Sequence, residues 1–189
     1  PFLVSDHLCW TGVPGANAHD LLPLPYTDEA LEWVVEQVGE AQDLLGRRIV
    51  LENVSTYLAW ESSTWREEDF LAEVARRSGC GILLDVNNAY VNARNHGFDA
   101  GAWIRAIPAD AVAQIHLAGH RDLGTHLYDT HSAPVCDEVW ELFALASRRF
   151  PEAPVLVEWD EDIPAWEGLE QEACRARTVA AAALAGAAR

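Results

Sequence analysis

Metal-ligand side chains recur in this sequence where apolar runs end. The first run closes on Val4-Ser5-Asp6-His7, the second on Val50-Leu51-Glu52-Asn53 and the third on Leu84-Asp85-Val86-Asn87-Asn88. The fourth closes on Gln114-Ile115-His116 and the fifth on Val157-Glu158-Trp159-Asp160. Asp129-Thr130-His131 adds a carboxylate and an imidazole two residues apart, and Asp160 and Asp162 add oxygen donors after the last run. Carboxylates gathered in a poorly hydrated place repel one another and need a cation. Mixed imidazole and carboxylate donors suit iron, zinc or manganese better than calcium or copper(I). There are more donors than one ion needs, so the pattern predicts a site for two or three. A strand-end acid taken singly is as readily a helix cap or ion-pair partner; the succession of five makes the argument.

The same residues define the elements that hold them. Strands are expected over Phe2–His7, Arg48–Asn53, Gly81–Val86, Ala111–Leu117 and Pro154–Trp159. Helices are expected over Asp28–Leu45, with Thr27 as N-cap and Gly46 past its end, and over Trp65–Arg77, opened by a Thr64/Glu67 capping box. Further helices are expected near Ala89–Asn95, Asp99–Ile107 and Val135–Arg149, and from Pro164 into the Ala-rich tail, with a polar loop over Gly119–Ser132. Near-continuous apolar strands alternating with helices indicate parallel βαβ units. Their spacing fits a barrel as well as an open sheet. In a barrel, the C-terminal strand ends face one cavity. No Gly-x-Gly-x-x-Gly follows a strand, which lowers the dinucleotide-binding alternative. No linker or short repeat is visible, so residues 1–189 read as one domain.

Composition narrows the function. The 189 residues carry a net charge of −17, with thirteen basic residues, all Arg. That charge argues against nucleic acid and against an anionic membrane surface. No apolar run is long enough to span a bilayer, the Ala-rich stretch Val179 to Ala188 included, and no signal peptide is recognisable. The four dispersed Cys residues, at 9, 80, 136 and 174, suit a reducing cytoplasm. Most are expected as small core residues. The chain starts at Pro1 and contains no Met, and so reads as trimmed or cut from something longer. Trp33, Trp103 and Trp140 are expected in the core, and Trp10, Trp60 and Trp159 around the pocket. His19 and His126 are expected in solvated loops. His96 and His120 could ligate or support ligands, and Asn87 or Asn88 could cap a helix or ligate. Ser5 and Cys9 flank His7, but no Gly-x-Ser-x-Gly elbow exists, so a nucleophilic triad explains less.

The segments Ser-Asp-His-Leu-Cys-Trp, Leu-Glu-Asn-Val-Ser-Thr-Tyr-Leu, Leu-Leu-Asp-Val-Asn-Asn-Ala-Tyr-Val, Asn-His-Gly-Phe-Asp, Ile-His-Leu-Ala-Gly-His, Asp-Thr-His and Val-Glu-Trp-Asp-Glu-Asp-Ile-Pro occur in this order. Together they resemble the multinuclear non-heme iron-dependent oxidative enzymes, the family of the iron enzyme of methanobactin biosynthesis. The resemblance covers nearly the whole chain. It implies a triosephosphate-isomerase-type (β/α)8 barrel, of which this chain supplies about the last five β/α units. It further implies two or three iron ions, oxygen-dependent modification of Cys in a ribosomally made precursor peptide, and a separate protein that recognises the peptide leader. By motif, the metal ligands would be His7, Glu52, Asp85, His116, Asp129, His131, Glu158 and, more weakly, Asp160. Glu52, Asp85 and Glu158 would be catalytic, with Glu52 and Glu158 bridging ions. The family's barrel has three more strands before the one ending in His7, one of them carrying an iron-ligating His. The alternative reading is a zinc- or manganese-dependent hydrolase or sugar isomerase of the endonuclease IV or xylose isomerase type.

Overall fold

The computed structural model describes residues 1–187, so Ala188 at the end of the Ala-rich tail lies outside the described residues. Five parallel strands form the central sheet: β1 (Ser5–His7), β4 (Val50–Glu52), β5 (Gly81–Asp85), β6 (Val112–Leu117) and β9 (Val155–Val157), in that spatial order. Each connection carries helix. The helices are α1 (Asp28–Leu45), α2 (Glu67–Ser78), α3 (Val86–His96), α4 (Ala100–Ala106), α5 (Asp137–Arg149) and α6 (Trp166–Ala187). No described helix is long and apolar enough to cross a membrane.

The middle of the sheet is the interior. All five residues of β5 are buried, as are all three of β4, while β1 is exposed throughout. A continuous apolar cluster joins Ile82, Leu84 and Ile115 to Phe70 and Val74 of α2, Trp103 of α4 and Phe143 of α5. Strands covered on both faces have no polar alternation, which is why they read as apolar runs.

Local signals explain the helix limits. Thr27 accepts a hydrogen bond from Ala30 N–H, and Gly46, at φ 63°, closes α1 in the left-handed conformation. The Thr64/Glu67 capping box does not form. Arg66 occupies the N-cap of α2 without a side-chain cap bond, and the Glu67 carboxylate accepts instead from Tyr26 Oη at 3.2 Å. Helix α3 begins at Val86, three residues before the expected start, because the Asp85 side chain caps it directly.

Two hairpins stand outside the sheet. β2 (Trp10–Val13) and β3 (Ala16–Leu22) pair antiparallel between β1 and α1, in a segment the apolar pattern left unassigned. The expected polar loop over Gly119–Ser132 contains β7 (His120–Asp122) and β8 (Leu127–Asp129), also antiparallel. His19 therefore lies in a strand, while His126 lies in the turn.

Other departures concern single residues. Trp103 and Trp140 are buried, but Trp33 is 54% exposed on the outer side of α1. Only Cys80 among the thiols is buried; Cys136 sits at the N-cap of α5 and Cys174 on the exposed side of α6. The expected strand start at Phe2 shortens to Ser5, because only from Ser5 does β1 register with β4.

Candidate metal centre

The strand register brings the ligand-type residues to one end of the sheet. His7 pairs with Glu52, and Asp85 pairs with His116. Glu52 pairs with Leu83 and His116 with Leu156. Asp85 and Glu158 thus lie one pleat further along, on the same face, because side chains two residues apart share a face. Just past β9, Glu158 N–H donates to Leu117 O at 2.8 Å, which fixes its backbone.

Two groups of donors converge there. Glu52, Asp85, His116 and Glu158 each place a ligand atom within 4.8 Å of the others. His131, Glu158 and Asp160 form the second group under the same limit, so Glu158 belongs to both. His116 Nδ1 lies 3.3 Å from Glu52 Oε1 and 3.1 Å from Glu158 Oε2. His131 Nδ1 lies 3.4 Å from both Glu158 Oε2 and Asp160 Oδ2.

His7 and Asp129 stand one step outside these groups. His7 Nε2 approaches Glu52 Oε2 at 3.5 Å, and its side chain is 42% exposed. Asp129 Oδ1 lies 2.9 Å from His131 Nε2 and accepts from Asn87 Nδ2 at 2.8 Å, while its Oδ2 accepts from Ser55 Oγ at 3.1 Å. The cleft they line with Glu52, His131 and Glu158 has a volume of about 360 Å³.

The electrostatics are those of carboxylates and imidazoles crowded together. Burial, reinforced by the Glu52 and Asp129 charges, pushes the Asp85 carboxyl well above the usual range. Burial disfavours the imidazolium form of His116, yet hydrogen bonds to Glu158 and Glu52 outweigh it and raise its pKa to about 10. Burial likewise opposes charge on His131, and the Asp129 and Glu158 carboxylates lift it to about 11. Glu158, beside both imidazoles, is held far below the usual carboxylate range. Protons on His116 and His131 balance part of the surrounding carboxylate charge.

The donor set fits metal ions. Asp85 Oδ1 accepts from Asn88 N–H at 2.7 Å and caps α3, while its buried Oδ2 has no hydrogen-bond partner among the described residues. Asn88 Oδ1 is likewise buried without a hydrogen bond. Lone pairs left free at the same place are what a cation requires. His131 also adopts φ 46°, an unusual conformation for a non-glycine residue, which a fixed ligating position rationalises.

Several supports were not evident from the sequence. Asn53 is 1% exposed and clasps β5: its Nδ2 donates to Asp85 O at 3.0 Å, and its Oδ1 accepts from Asp85 N–H at 2.9 Å. Tyr57 Oη accepts from Asp129 N–H at 3.0 Å. Two further histidines are held by side chains: His120 Nδ1 meets Asn87 Oδ1 at 2.8 Å, and His96 Nε2 meets Thr56 Oγ1 at 2.7 Å. Trp10, Trp60 and Trp159 are not among the residues lining the cleft, and the indoles of Trp10 and Trp60 both donate to Pro23 O. Burial and the charges of Asp6 and Asp20 push the Cys9 thiol up to about 11, which disfavours its thiolate.

Similarity to known proteins agrees with this architecture. A UPF0276 protein of Anaeromyxobacter sp. (strain Fw109-5) is 56% identical over 185 residues, covering 98% of this chain and 65% of its own length. A UPF0276 protein of Caulobacter vibrioides (strain NA1000 / CB15N) is 50% identical, covering 95% and 65% respectively. The chain thus spans about 65% of the length of these curated relatives. A xylose isomerase domain protein from Alicyclobacillus acidocaldarius superposes with a TM-score of 0.51 at 18% identity, over 86% of this chain and 62% of that one. D-Psicose 3-epimerase from Clostridium cellulolyticum H10 superposes with a TM-score of 0.50 at 15% identity, over 82% and 56%. These likenesses establish the fold: part of a triosephosphate-isomerase-type barrel. Residues 1–181 match the family described as RiPP precursor modification enzyme MbnB/TglH/ChrH, the enzymes of ribosomally made, modified peptides, and the chain belongs to that family.

Proposed function

We propose that this chain provides the metal centre of an iron-dependent, oxygen-using enzyme that modifies Cys residues of a ribosomally made precursor peptide. The observation behind this reading is the convergence of Glu52, Asp85, His116 and Glu158 with His131 and Asp160 at the strand ends of a barrel whose family modifies such peptides. Glu158, shared by both groups, suits a bridging position. Glu52 also suits one, with one oxygen toward His116 and the other toward His7. Asp85 offers one oxygen, since the other is committed to α3. Asp129 either ligates or orients His131 through Nε2.

Bound iron would supply one-electron and oxygen chemistry, which these side chains cannot perform themselves. The chain's own residues hold the donors in place and keep protons on His116 and His131 until metal replaces them. A precursor peptide as substrate and a separate leader-binding protein as partner complete the proposal.

The test begins with anaerobic purification, metal analysis and Mössbauer spectra. Mass spectrometry of Cys-containing peptides, with and without oxygen, follows. Iron at two or three per chain and an oxygen-dependent mass change are expected. A chain that holds zinc or manganese alone and leaves such peptides unchanged, while acting on a sugar or an ester without oxygen, refutes the proposal in favour of an isomerase or hydrolase.

A further inference from the structure

A second pocket, of about 210 Å³, adjoins the metal cleft and is not used by the centre described above. Glu67, Tyr26, Trp60, Trp65 and Phe98 are among the residues that line it. Trp60 and Phe98 are each 38% exposed. The pocket is smaller than the clefts of roughly 300 Å³ and more that take whole small molecules, and suits a single side chain.

Its acidic group is the Glu67 carboxylate, beside the polar Asn92 and His96 side chains. Oε1 accepts from Tyr26 Oη, and among the described residues no Arg or His pairs with it. The neighbouring Arg66 is already paired with Glu68. Burial pushes Glu67 up to about 7, against hydrogen bonds from Tyr26 and Asn92. A carboxylate among aromatic faces is the arrangement that holds an organic cation, through charge and through the ring quadrupoles. The chain's charge of −17 favours the same ligand.

One loop separates this pocket from the metal cleft: Ser55 lines the cleft and Thr56 lines the pocket. Thr56 is pinned by Asn92 Oδ1, which accepts from its N–H at 2.7 Å, and by His96. A peptide crossing that rigid partition addresses both sites.

We propose that the Glu67 pocket binds the ammonium or guanidinium group of a basic side chain of the peptide whose reactive residue occupies the metal cleft. The peptide part rests on the function proposed above; the cation site does not. Calorimetry on the metal-loaded full chain would use n-butylguanidinium and n-butylammonium chloride, with pentan-1-ol as the neutral control. The cations should bind at least about tenfold tighter than the alcohol. Glu67→Gln should abolish that preference with little change in melting temperature. Trp60→Ala, altering an exposed rim residue, should weaken the cations and provides the test if Glu67→Gln does not fold. Equal binding of cation and alcohol, or an unchanged preference in the variants, overturns the site.

A Cys peptide carrying Lys would then be compared with its norleucine counterpart. Tighter binding of the Lys form in the wild type, lost in Glu67→Gln, supports the peptide as the source. Equal binding of the two peptides, with the small cations still preferred, overturns that assignment in favour of a free cation. Absence of iron-dependent turnover would refute the proposed function without touching these binding measurements.

Discussion

Loading the metal-free protein should release protons in a number readable from the site. At a pH of about 7.5, imidazoles with pKa near 10 and 11 are almost fully protonated, so His116 and His131 each lose one proton on ligating. Glu158 contributes none, because it is already ionised. About two protons per loaded chain are therefore expected, from His116 and His131, and apparent affinity should rise about tenfold per displaced proton for each pH unit gained.

Calorimetry in two buffers of different ionisation enthalpy counts these protons directly, and a pH-indicator dye in weak buffer provides an independent count. Glu158→Gln sharpens the test: losing that carboxylate lets both imidazoles fall toward their ordinary value, so fewer protons should be released by whatever metal still binds. Release near zero in the wild type, with affinity flat across neutral pH, would refute the reasoning, because it would mean that the imidazoles are neutral before metal arrives.

Other expectations concern stability and occupancy. In the metal-free protein, the raised pKa values of His116 and His131 add stability that is complete below about 6.5 and disappears as pH climbs through about 10 to 11. The depressed Glu158 adds stability that is present above its ordinary pKa of about 4.5 and lost on acidification, so melting temperature against pH should fall on both sides of a plateau. Glu158→Gln should lower metal content by more than one ion where two groups are filled, since that carboxylate belongs to both; metal analysis decides. Asn53→Ala removes the acceptor of the buried Asp85 N–H, and should cost about 1–3 kcal/mol in denaturant unfolding. Gly119→Ala would place a methyl 1.9 Å from Ala133 O, so the Asp129–His131 segment must shift; about 1–3 kcal/mol and weaker metal binding are expected.

The legible parts of the sequence were those governed by neighbours along the chain. Thr27 and Gly46 bound α1 because a cap acts within one turn. The convergence of Glu52, Asp85, His116 and Glu158 was legible because each lies at or just past the end of a strand of the central sheet. Glu67 was misread because its carboxyl had two possible uses, and burial with Tyr26 prevailed over reaching back to the N-cap. The β2–β3 hairpin was invisible to hydrophobic patterning because six of the seven β3 residues are exposed, although Pro14-Gly15 marks its turn. The support given by Asn53 is a relation between two strands, and no spacing within one segment encodes it.

The candidate ligands follow the burial of the strands that carry them. Asp85 is 0% exposed, Glu52 5% and His116 8%, all on the central strands β5, β4 and β6. The side chains of His7, on the edge strand β1, and of Asp160, past the edge strand β9, are 42% and 64% exposed. A ligand locked by packing enters coordination without losing further freedom, whereas an exposed one must be ordered when metal arrives. In the proposed metal centre, the central group therefore has the stronger claim on the first ion, and the positions offered by His7 and Asp160 depend on what covers the two sheet edges. The longer curated relatives have about a third more of their own length with which to cover them.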